Sequence, residues 1–379
     1  MKVGVFIGRM QPMHNGHLSV IKYMADQCDA LVIGIGSSNK ARSTKNPFLF
    51  HDRGRMIIRA IEGLELMKDP RNEKGKVIST TTCGEDKINV PYEIIGIPDF
   101  TYNNQMWLET TANLVESAVD SLCDVYRDIL TTGPVEIKLY GHDQGSDTRY
   151  LHQFPQWGDP VLLGKAHNFH ATDIRKELFF SDTNLSWVDR VPEAVSNFII
   201  DFFTNTKPGM KVYEDLREEA ALVTKIKEDK KKYRYPILDQ TVDAVVICNG
   251  HVLMVTRGVN PGKGQLALPG GYLNEFESIP DGIVRELVEE TRIALKPSLL
   301  RNLINDERIK CFSSPGRSVR GRIITHCGLI NYQSNKLPEV KGSDDAAKAE
   351  WIPLYRLDNL ATNIFEDHYC IIRNMLGHC

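Results

Sequence analysis

Apolar and polar positions alternate in two ways along the first 200 residues. The runs at 2–8 and 29–37 are almost continuously apolar, which is typical of strands buried on both faces of a sheet. Between these runs, residues 17–27 repeat apolar side chains at helical spacing, at Leu18, Ile21, Met24 and Ala25. A strand, a helix and a second strand in so short a span predict a βαβ unit, and therefore a parallel sheet.

The alternation continues to about residue 200. Further apolar runs predict strands at 76–80, 92–98 and 135–141, and helical spacing predicts helices at 51–66, 104–126 and 172–180. We therefore expect residues 1–204 to form an α/β domain with a doubly wound, Rossmann-like parallel sheet.

The pattern changes after residue 204. Residues 205–236 are highly charged, and we expect a linker that is partly helical. From residue 237 onward strand signals dominate, with a hairpin around Asn249-Gly250, a strand within 321–332, a helix after Pro280 and a last helix near 363–375. Residues 237–379 are thus expected to form a second, α+β domain.

Composition narrows the class of protein. A chain of 379 residues is longer than one hydrophobic core usually serves, which agrees with two domains. A formal net charge of −3 argues against a general nucleic-acid or membrane-surface binder, and no apolar run has the length of a membrane span. The eight cysteines form no C-x-x-C pair and are typical of free thiols in a reducing compartment, so we expect the cytoplasm. A homo-oligomer is left open.

Two histidines follow the first predicted strand closely. His14 and His17 lie in "GRMQPMHNGHL", where Arg9 comes directly after the strand and a helix begins a few residues later. Ligands of parallel sheets bind beyond the carboxyl ends of the strands, and a helix N-terminus favours anions. A lone histidine at such a place is usually a surface residue, but the H-x-G-H spacing after a buried strand favours an anion site.

Four segments in order carry a family resemblance. They are "GRMQPMHNGHL" (8–18), "KNPFLFHDR" (45–53), "GHDQGSDTRYLHQFPQW" (141–157) and "FHATDIRKEL" (169–178). The first resembles the signature of the H-x-G-H nucleotidyltransferases, and together the four are similar to the nicotinamide mononucleotide (NMN) adenylyltransferases of the archaeal type. Three places depart from that pattern: Asp52 replaces a glutamate, Gln144-Gly145 replaces Lys-Asp, and His170-Ala171 replaces Ile-Ser.

This resemblance implies adenylyl transfer from ATP to NMN, giving NAD and pyrophosphate with Mg²⁺. The NMN phosphate is already largely ionised at neutral pH, so positioning and charge stabilisation matter more than a side-chain base. The resemblance implies catalytic roles for His14, His17 and Arg175. It implies substrate contacts for Gly8, Arg9, Gln11, Arg53, Tyr102, Asn104, Trp107, Gly141, His142, Asp143 and Thr172, with Trp107 stacked on the nicotinamide ring. An ordinary core tryptophan is the alternative for Trp107.

A carboxylate cluster marks the second half of the chain. Glu286, Glu289 and Glu290 share one helix face at i, i+3 and i+4, and they lie toward the helix C-terminus, where anions are disfavoured. Such a face is costly unless a cation binds, and carboxylate oxygens suit Mg²⁺ or Mn²⁺. Taken alone, however, the cluster would more often be a solvated helix face.

The longer spacing resembles the Nudix box. Gly271 is followed after five residues by Glu277, and after seven more by Arg285-Glu286-Leu287-x-Glu289-Glu290. The resemblance implies that Glu286, Glu289 and Glu290 bind metal or act as base, that Arg285 pairs with Glu277, and that Gly270, Gly271 and Arg257 meet substrate. Arg257 and Lys263 could reach the substrate phosphates, and two solvated loop cations are at least an equal alternative. Asp344 and Asp345 could add a late carboxylate or cap a turn, and both readings are left open. One departure is Arg292, which stands at the late glycine of the box.

The two resemblances together are similar to bifunctional NMN adenylyltransferase/Nudix hydrolases, which implies ADP-ribose as the second substrate, cleaved to AMP and ribose 5-phosphate. Two alternatives are left open. The first domain could use another phosphate acceptor, and the second could act on a different nucleoside diphosphate or sense ADP-ribose without cutting it. The Nudix box itself does not name the nucleoside diphosphate.

Overall fold

The computed structural model describes residues 1–62, 77–79, 90–126, 134–142, 145–164, 170–181 and 185–377. The chain divides into two compact units. Unit 1 comprises Met1–Asn39, Pro47–Asp99 and Asn104–Asp215, and unit 2 comprises Lys40–Asn46, Phe100–Asn103 and Leu216–Cys379. The division between Asp215 and Leu216 differs from the predicted limits at 204 and 237, and two short segments from the first part of the chain belong to unit 2.

Within the described residues, unit 1 has a six-stranded sheet, and the segments between the strands form helices. Its strands are β1 (Lys2–Gly8), β2 (Ala30–Ile35), β3 (Val77–Ser79), β4 (Tyr92–Gly96), β5 (Glu136–His142) and β6 (Val161–Leu163). Its helices are α1 (Asn15–Gln27), α2 (Phe50–Glu62), α3 (Asn104–Val125), α4 (Ala171–Phe180) and α5 (Glu193–Asn205). Short 3₁₀ helices cover Gly145–Gln153, Pro155–Trp157 and Val188–Arg190.

The sheet order is β3-β4-β2-β1-β5-β6. Strands β1, β2, β4, β5 and β6 are parallel, and β3 is antiparallel at the edge. The residues of β2 are buried throughout, and those of β1 are buried except at its ends, as expected for strands covered on both faces. Because β1 and β2 are central and the chain crosses over on both sides, the predicted Rossmann-like fold is confirmed. The carboxyl ends of β1, β2 and β5 meet at one edge, which positions the residues that follow them.

A single helix, α6 (Lys207–Lys231), occupies most of the predicted linker. Pro208 lies in its first turn, where the missing N–H costs no hydrogen bond. The remaining positions are mostly charged, but Leu216, Ala220 and Val223 are buried. The division between units 1 and 2 falls within this helix. Within the described residues, no helix combines the length and apolar character needed to cross a membrane.

Unit 2 is built on a mixed seven-stranded sheet. Its strands are β7 (Asp239–Cys248), β8 (His251–Arg257), β9 (Leu266–Ala267), β10 (Gly270–Tyr272), β11 (Lys310–Phe312), β12 (Ile323–Tyr332) and β13 (Ala346–Pro353). Its further helices are α7 (Ile279–Thr291), α8 (Pro297–Leu303), α9 (Leu357–Leu360) and α10 (His368–Met375). The sheet runs β11-β12-β7-β8-β13, with β10 beside β7 and β9 beside β8.

Local sequence explains much of unit 2. Asn249 and Gly250 both have positive φ, 45° and 73°, as the predicted hairpin turn requires. The strand predicted within 321–332 is β12, and the helix predicted after Pro280 is α7. The last helix begins at His368, five residues later than expected. The chain first forms a 3₁₀ turn at Ala361–Asn363, and Ile364 is then extended and bridges to Leu266.

Candidate active sites

A cavity of about 660 Å³ opens at the carboxyl edge of the sheet in unit 1. Its walls come from the ends of β1 and β5, the segment leading into α1, and the first turns of α3 and α4. The structure brings together at this cavity Gly8, Arg9, Gln11, His14, His17, Asn104, Trp107, Gly141, His142, Thr172 and Arg175. Residues separated by up to 167 positions thus meet at one place, because parallel strands direct their carboxyl ends to the same edge.

The two histidines of the H-x-G-H motif form a stacked pair. Their ring centroids lie 3.6 Å apart, and His17 Nδ1 accepts a hydrogen bond of 3.1 Å from the backbone N–H of His14. A Cβ at Gly16 would lie 3.1 Å from the His14 ring, so the glycine between the histidines permits this packing. His142 Nε2 donates to Gly16 O at 2.8 Å. The buried Nδ1 of His14 has no hydrogen-bond partner among the described residues, which leaves it available to a ligand.

Both imidazoles are neutral at pH 7 in this cavity. Burial, together with His142 and His170 nearby, lowers the pKa of His14 from 6.5 to about 4. Burial, with His14 beside it, also lowers the pKa of His17 well below 6.5. The imidazoles are therefore hydrogen-bonding groups rather than standing cations, and the permanent positive charge comes from arginines. A polyanionic ligand would raise both pKa values by charge attraction.

Arg9 and Arg175 supply that charge. Arg9 is exposed and lines the cavity. Arg175 is buried, and it donates to Gln11 O at 2.7 Å and to Thr172 Oγ1 at 3.0 Å. Burial lowers the pKa of Arg175 to about 10, which leaves it protonated at neutral pH. The Gln11 amide is paired with the backbone of Phe48 in both directions, at 2.8 and 3.0 Å, so it fixes the shape of the wall.

Arg53 is placed differently from the expected phosphate contact. It is buried and does not line the cavity. Its Nη1 donates to Arg9 O at 2.6 Å and to Gly36 O at 2.7 Å, and its Nη2 donates to Ser37 O at 3.1 Å. These carbonyls follow β1 and β2, so the guanidinium ties the two loops together. The geometry favours a positioning role for Arg53, because its donors are directed at backbone carbonyls.

The aromatic end of the cavity is formed by Trp107. Its ring packs edge-on against Tyr150 and Phe154, with centroids 6.0 and 5.8 Å away, and Tyr150 donates to Ile7 O at 2.7 Å. Trp107 therefore both packs against the core of unit 1 and faces the cavity.

Tyr102 belongs to unit 2, where its hydroxyl donates to the Asp367 carboxylate. Asp143 lies outside the described residues.

Sequence reasoning missed several polar residues of this cavity, among them Ser37, Asp99 and His170. Each follows a strand or precedes a helix at the carboxyl edge of the sheet. A search for polar residues at or directly after the end of every predicted strand would have found Ser37 and Asp99. The family pattern has isoleucine at the position of His170 and therefore did not point to that residue.

The second site lies on α7 of unit 2. Ser278 caps this helix, with its side chain accepting from the Asp281 N–H. Glu286 and Glu290 are buried and Glu289 is exposed. Gly270 N donates to Glu290 Oε2 at 3.0 Å, and a Cβ at Gly271 would approach the Glu286 carboxyl group to 2.5 Å. The two glycines preceding the box therefore allow the backbone to approach the carboxylates closely.

Arg285 organises the charges around the helix. It donates to both oxygens of Glu277, at 2.9 and 2.6 Å, which confirms the predicted pairing. It also donates to Glu286 at 2.8 Å and to Glu289 at 3.0 Å. The hydrogen bonds from Arg285 contribute most to lowering the pKa of Glu277 to about 2.

Glu286 and Glu290 suit a divalent cation. Burial, with Glu286 and Asp243 nearby, raises the pKa of Glu290 to about 8, and burial also raises the pKa of Glu286. Buried carboxylates of this kind gain most from a bound cation, because a cation offsets the lost hydration. Within the described part of the chain no three metal-type ligands cluster, and two of the three predicted ligands pair with Arg285 instead. The carboxylate oxygens of Glu286, Glu289 and Glu290 are of the type that a hard divalent ion prefers. The oxygens of Glu286 and Glu289 that accept from Arg285 would be shared between the guanidinium and the ion.

Two further groups border these carboxylates. Asp243 on β7 is buried and accepts from Thr325 Oγ1 at 2.5 Å, and it was missed because it interrupts an apolar strand run. The Arg257 guanidinium lies 4.2 Å from the centroid of the Phe365 ring and interacts electrostatically with Glu290. The neighbouring Asp345 carbonyl accepts from Gly258 N at 2.8 Å, which is a backbone turn contact.

Comparisons with known proteins agree with this division. The Nudix domain profile matches residues 238–375, and the cytidylyltransferase-like profile matches residues 5–96. A nicotinamide-nucleotide adenylyltransferase from Methanococcus aeolicus is 30% identical over 195 residues, which are 52% of this chain and 86% of that protein. An ADP-ribose pyrophosphatase from Methanocaldococcus jannaschii is 33% identical over 153 residues, which are 40% of this chain and 80% of that protein. Fold and sites thus define a nucleotidyltransferase fused to a Nudix hydrolase.

A solved structure covers both units together. The crystal structure of a bifunctional NMN adenylyltransferase/ADP ribose pyrophosphatase from Francisella tularensis is 32% identical, with a TM-score of 0.80 over 100% of this chain and 99% of that one. A second structure of such an enzyme from that organism, complexed with AMP and a manganese ion, is 30% identical with a TM-score of 0.78. The chain belongs to the family of bifunctional NMN adenylyltransferase/ADP-ribose pyrophosphatases.

Proposed function

We propose that unit 1 transfers the adenylyl group of ATP to NMN, forming NAD and pyrophosphate, and that unit 2 hydrolyses ADP-ribose to AMP and ribose 5-phosphate. The names of the relatives support both substrates. The observation that carries the first activity is the cavity in which the His14–His17 pair meets Arg9 and Arg175. We further propose a cytoplasmic location, because the cysteines that the structure describes are free thiols.

In unit 1 the reaction needs positioning and charge stabilisation. An oxygen of the NMN phosphate forms a bond to the α-phosphorus of ATP, and the bond from that phosphorus to the bridging oxygen breaks, releasing pyrophosphate. The nucleophile is already ionised, so no side chain has to remove a proton. We assign Arg9 and Arg175 to neutralise phosphate charge, and we assign the imidazoles of His14 and His17 to the oxygens on which charge develops.

In unit 2 the carboxylates of α7 hold the cation. We assign Glu286 and Glu290 as its main ligands, with Glu289 nearby and Mg²⁺ or Mn²⁺ as the ion. When bound, the ion neutralises the diphosphate and activates the attacking water. Arg257 then lies where a second positive charge can meet the substrate, and Arg285 holds the loop before α7 through Glu277.

Paired variants test this division of labour. His17→Ala should lower NAD formation from NMN and ATP by about 100-fold or more and leave AMP release from ADP-ribose unchanged. Glu290→Gln should do the reverse, because it weakens the cation site without touching unit 1. Coupled spectrophotometric assays with saturating Mg²⁺ measure both rates.

Matched controls make the result specific. His152→Ala removes an exposed histidine of unit 1 that does not line the cavity, and Glu275→Gln neutralises an exposed glutamate before α7. Both should retain both activities. A panel of other phosphate acceptors identifies a different nucleotidyltransferase if NMN is not used, and binding of ADP-ribose without AMP release would identify unit 2 as a sensor.

A further inference from the structure

The cavity of unit 1 holds one feature that phosphate chemistry does not explain. Arg9, Arg175 and the imidazoles suit two polyanionic substrates. Among the described residues that line the cavity, however, Asp99 is the one carboxylate. Arg53 attracts Asp99 electrostatically and offsets part of the cost of a carboxylate in this cavity. The phosphates of a ligand would still repel Asp99, so on the cavity side its best-matched neighbour is a hydrogen-bond donor of the ligand.

Asp99 is held in a defined orientation. It lies three residues beyond β4, where its backbone N–H donates to Asn39 Oδ1 at 2.8 Å and its carbonyl accepts from Asn39 Nδ2 at 3.2 Å. Ser37 Oγ donates to Asp99 Oδ2 at 2.9 Å. Since an ionised carboxylate offers about four acceptor positions, it can take a ligand donor as well as the Ser37 hydroxyl. The side chain is therefore positioned before the ligand arrives.

The donors of the two substrates are few. Their phosphates only accept hydrogen bonds at neutral pH, which leaves the ribose hydroxyls, the adenine amine and the carboxamide of the nicotinamide. Asp99 precedes, by a short segment, the first turn of α3, which presents Asn104 and Trp107 to the same cavity. Trp107 offers the aromatic surface on which a pyridine ring can stack, so the carboxamide on that ring is the donor best matched to Asp99.

We propose that Asp99 selects the amide form of the acceptor nucleotide by accepting a hydrogen bond from the carboxamide N–H and repelling a pyridine carboxylate. Nicotinic acid mononucleotide differs from NMN only in that group, which is neutral and a donor in NMN but negative and an acceptor in the acid. Placing two carboxylates together removes one hydrogen bond and adds a like-charge contact. This inference rests on the proposed adenylyl transfer in unit 1.

The test compares kcat/KM for NMN and for nicotinic acid mononucleotide in the full-length chain, with ATP and Mg²⁺. The wild-type protein should prefer NMN by about 100-fold or more, since sites built around a substrate N–H discriminate strongly. Asp99→Asn can donate to a carboxylate as well as accept from an amide, so the preference should shrink by about tenfold or more through a gain with the acid. KM for ATP should not change.

Glu109→Gln is the matched control, because it neutralises an exposed carboxylate on α3. It should keep the wild-type preference for NMN over nicotinic acid mononucleotide.

The outcomes separate the candidate contacts. An unchanged preference in Asp99→Asn overturns the inference, as does an equal loss with both nucleotides, which would indicate a ribose contact, or a higher KM for ATP alone, which would indicate adenine. If Asp99→Asn does not fold, Ser37→Ala should lower kcat/KM for NMN while the acid remains a poor substrate; no loss with NMN overturns the inference. A wild-type protein that uses neither nucleotide overturns the proposed function and this inference together.

Discussion

The buried imidazoles of the cavity link the stability of the fold to pH at the scale of single residues. His14 is neutral in the folded chain above about pH 4, whereas an unfolded histidine binds a proton below about pH 6.5. Between these values the unfolded state holds the extra proton, so the free energy of unfolding falls as the pH is lowered through this window. Burial therefore keeps the His14 imidazole neutral, and it lowers the stability of the folded chain in acid.

His14→Gln should remove part of this pH dependence. In the wild type, lowering the pH from 7.5 to 5 should reduce the unfolding free energy of unit 1 by about 2 kcal/mol through His14 alone, because pH 5 lies about 1.5 units below the unfolded pKa. The variant should lack this contribution. Urea unfolding at the two pH values measures the difference. Equal losses in both proteins would show that His14 is not held neutral.

At the second site the pKa of a buried group is raised instead of lowered, and it links cation binding to pH through Glu290. Its pKa of about 8 means that cation binding releases a proton at neutral pH. The dissociation constant for Mn²⁺ should therefore fall by up to about tenfold for each unit that the pH rises between 6 and 8. Calorimetric titration of the full-length chain measures it. Glu290→Gln should bind more weakly and lose this dependence, while a constant affinity in the wild type would place the cation elsewhere.

At the scale of elements, helix α7 ends at an arginine, Arg292, where the Nudix box has a glycine. Arg292 adopts the left-handed conformation, with φ 42° and ψ 37°, and its N–H donates to Val288 O at 2.9 Å. The helix therefore ends as the glycine of a Nudix box would end it, although a Cβ in this conformation costs about 1 kcal/mol. The Arg292 side chain partly offsets this by donating to Ser343 Oγ at 2.9 Å.

Arg292→Gly should stabilise unit 2. Relief of the left-handed strain should raise the unfolding free energy by about 1 kcal/mol, and the melting temperature by about 2–4 °C. Arg292→Ala is the control, because it also loses the Ser343 contact but keeps the Cβ, and it should not gain. Differential scanning calorimetry compares the three proteins. A lower melting temperature for the glycine variant would mean that the Ser343 contact outweighs the strain.

At the scale of the whole molecule, the compact units do not follow the chain in simple order. Lys40–Asn46 and Phe100–Asn103 belong to unit 2 although they lie within the first half of the sequence. Thr44 donates through both its N–H and its hydroxyl to Glu219 Oε1, at 2.7 and 2.9 Å. The Tyr102 hydroxyl donates to Asp367, which also pairs with Arg317 at 2.9 and 3.0 Å in a fully buried ion pair.

Tyr102→Phe therefore tests a structural against a substrate role. Removing the hydroxyl takes one donor from the buried Asp367 carboxylate and should cost about 1–2 kcal/mol of stability in unit 2. KM for NMN should stay within about twofold of wild type. Thermal unfolding and initial rates measure the two effects. A large rise in KM with unchanged stability would return Tyr102 to the predicted NMN contact.

The sequence by itself determined the elements and the two motif sets. Helical and strand periodicity are local, so β1, α1, β2 and α7 could be predicted within a few residues. The spacing of Glu286, Glu289 and Glu290 on one helix is equally local, and the H-x-G-H motif follows its strand directly. The two families could therefore be recognised before any contact was known.

Only the tertiary structure decided which distant groups meet. Arg53 is directed at the carbonyls after β1 and β2, Tyr102 is directed at Asp367, and Asp99 lines the cavity of unit 1. The depressed pKa values of His14 and His17 also depend on burial, which the chain acquires only when β1, β5 and α4 come together. Pairing and desolvation arise between residues far apart in the chain, and for that reason local spacing could not predict them.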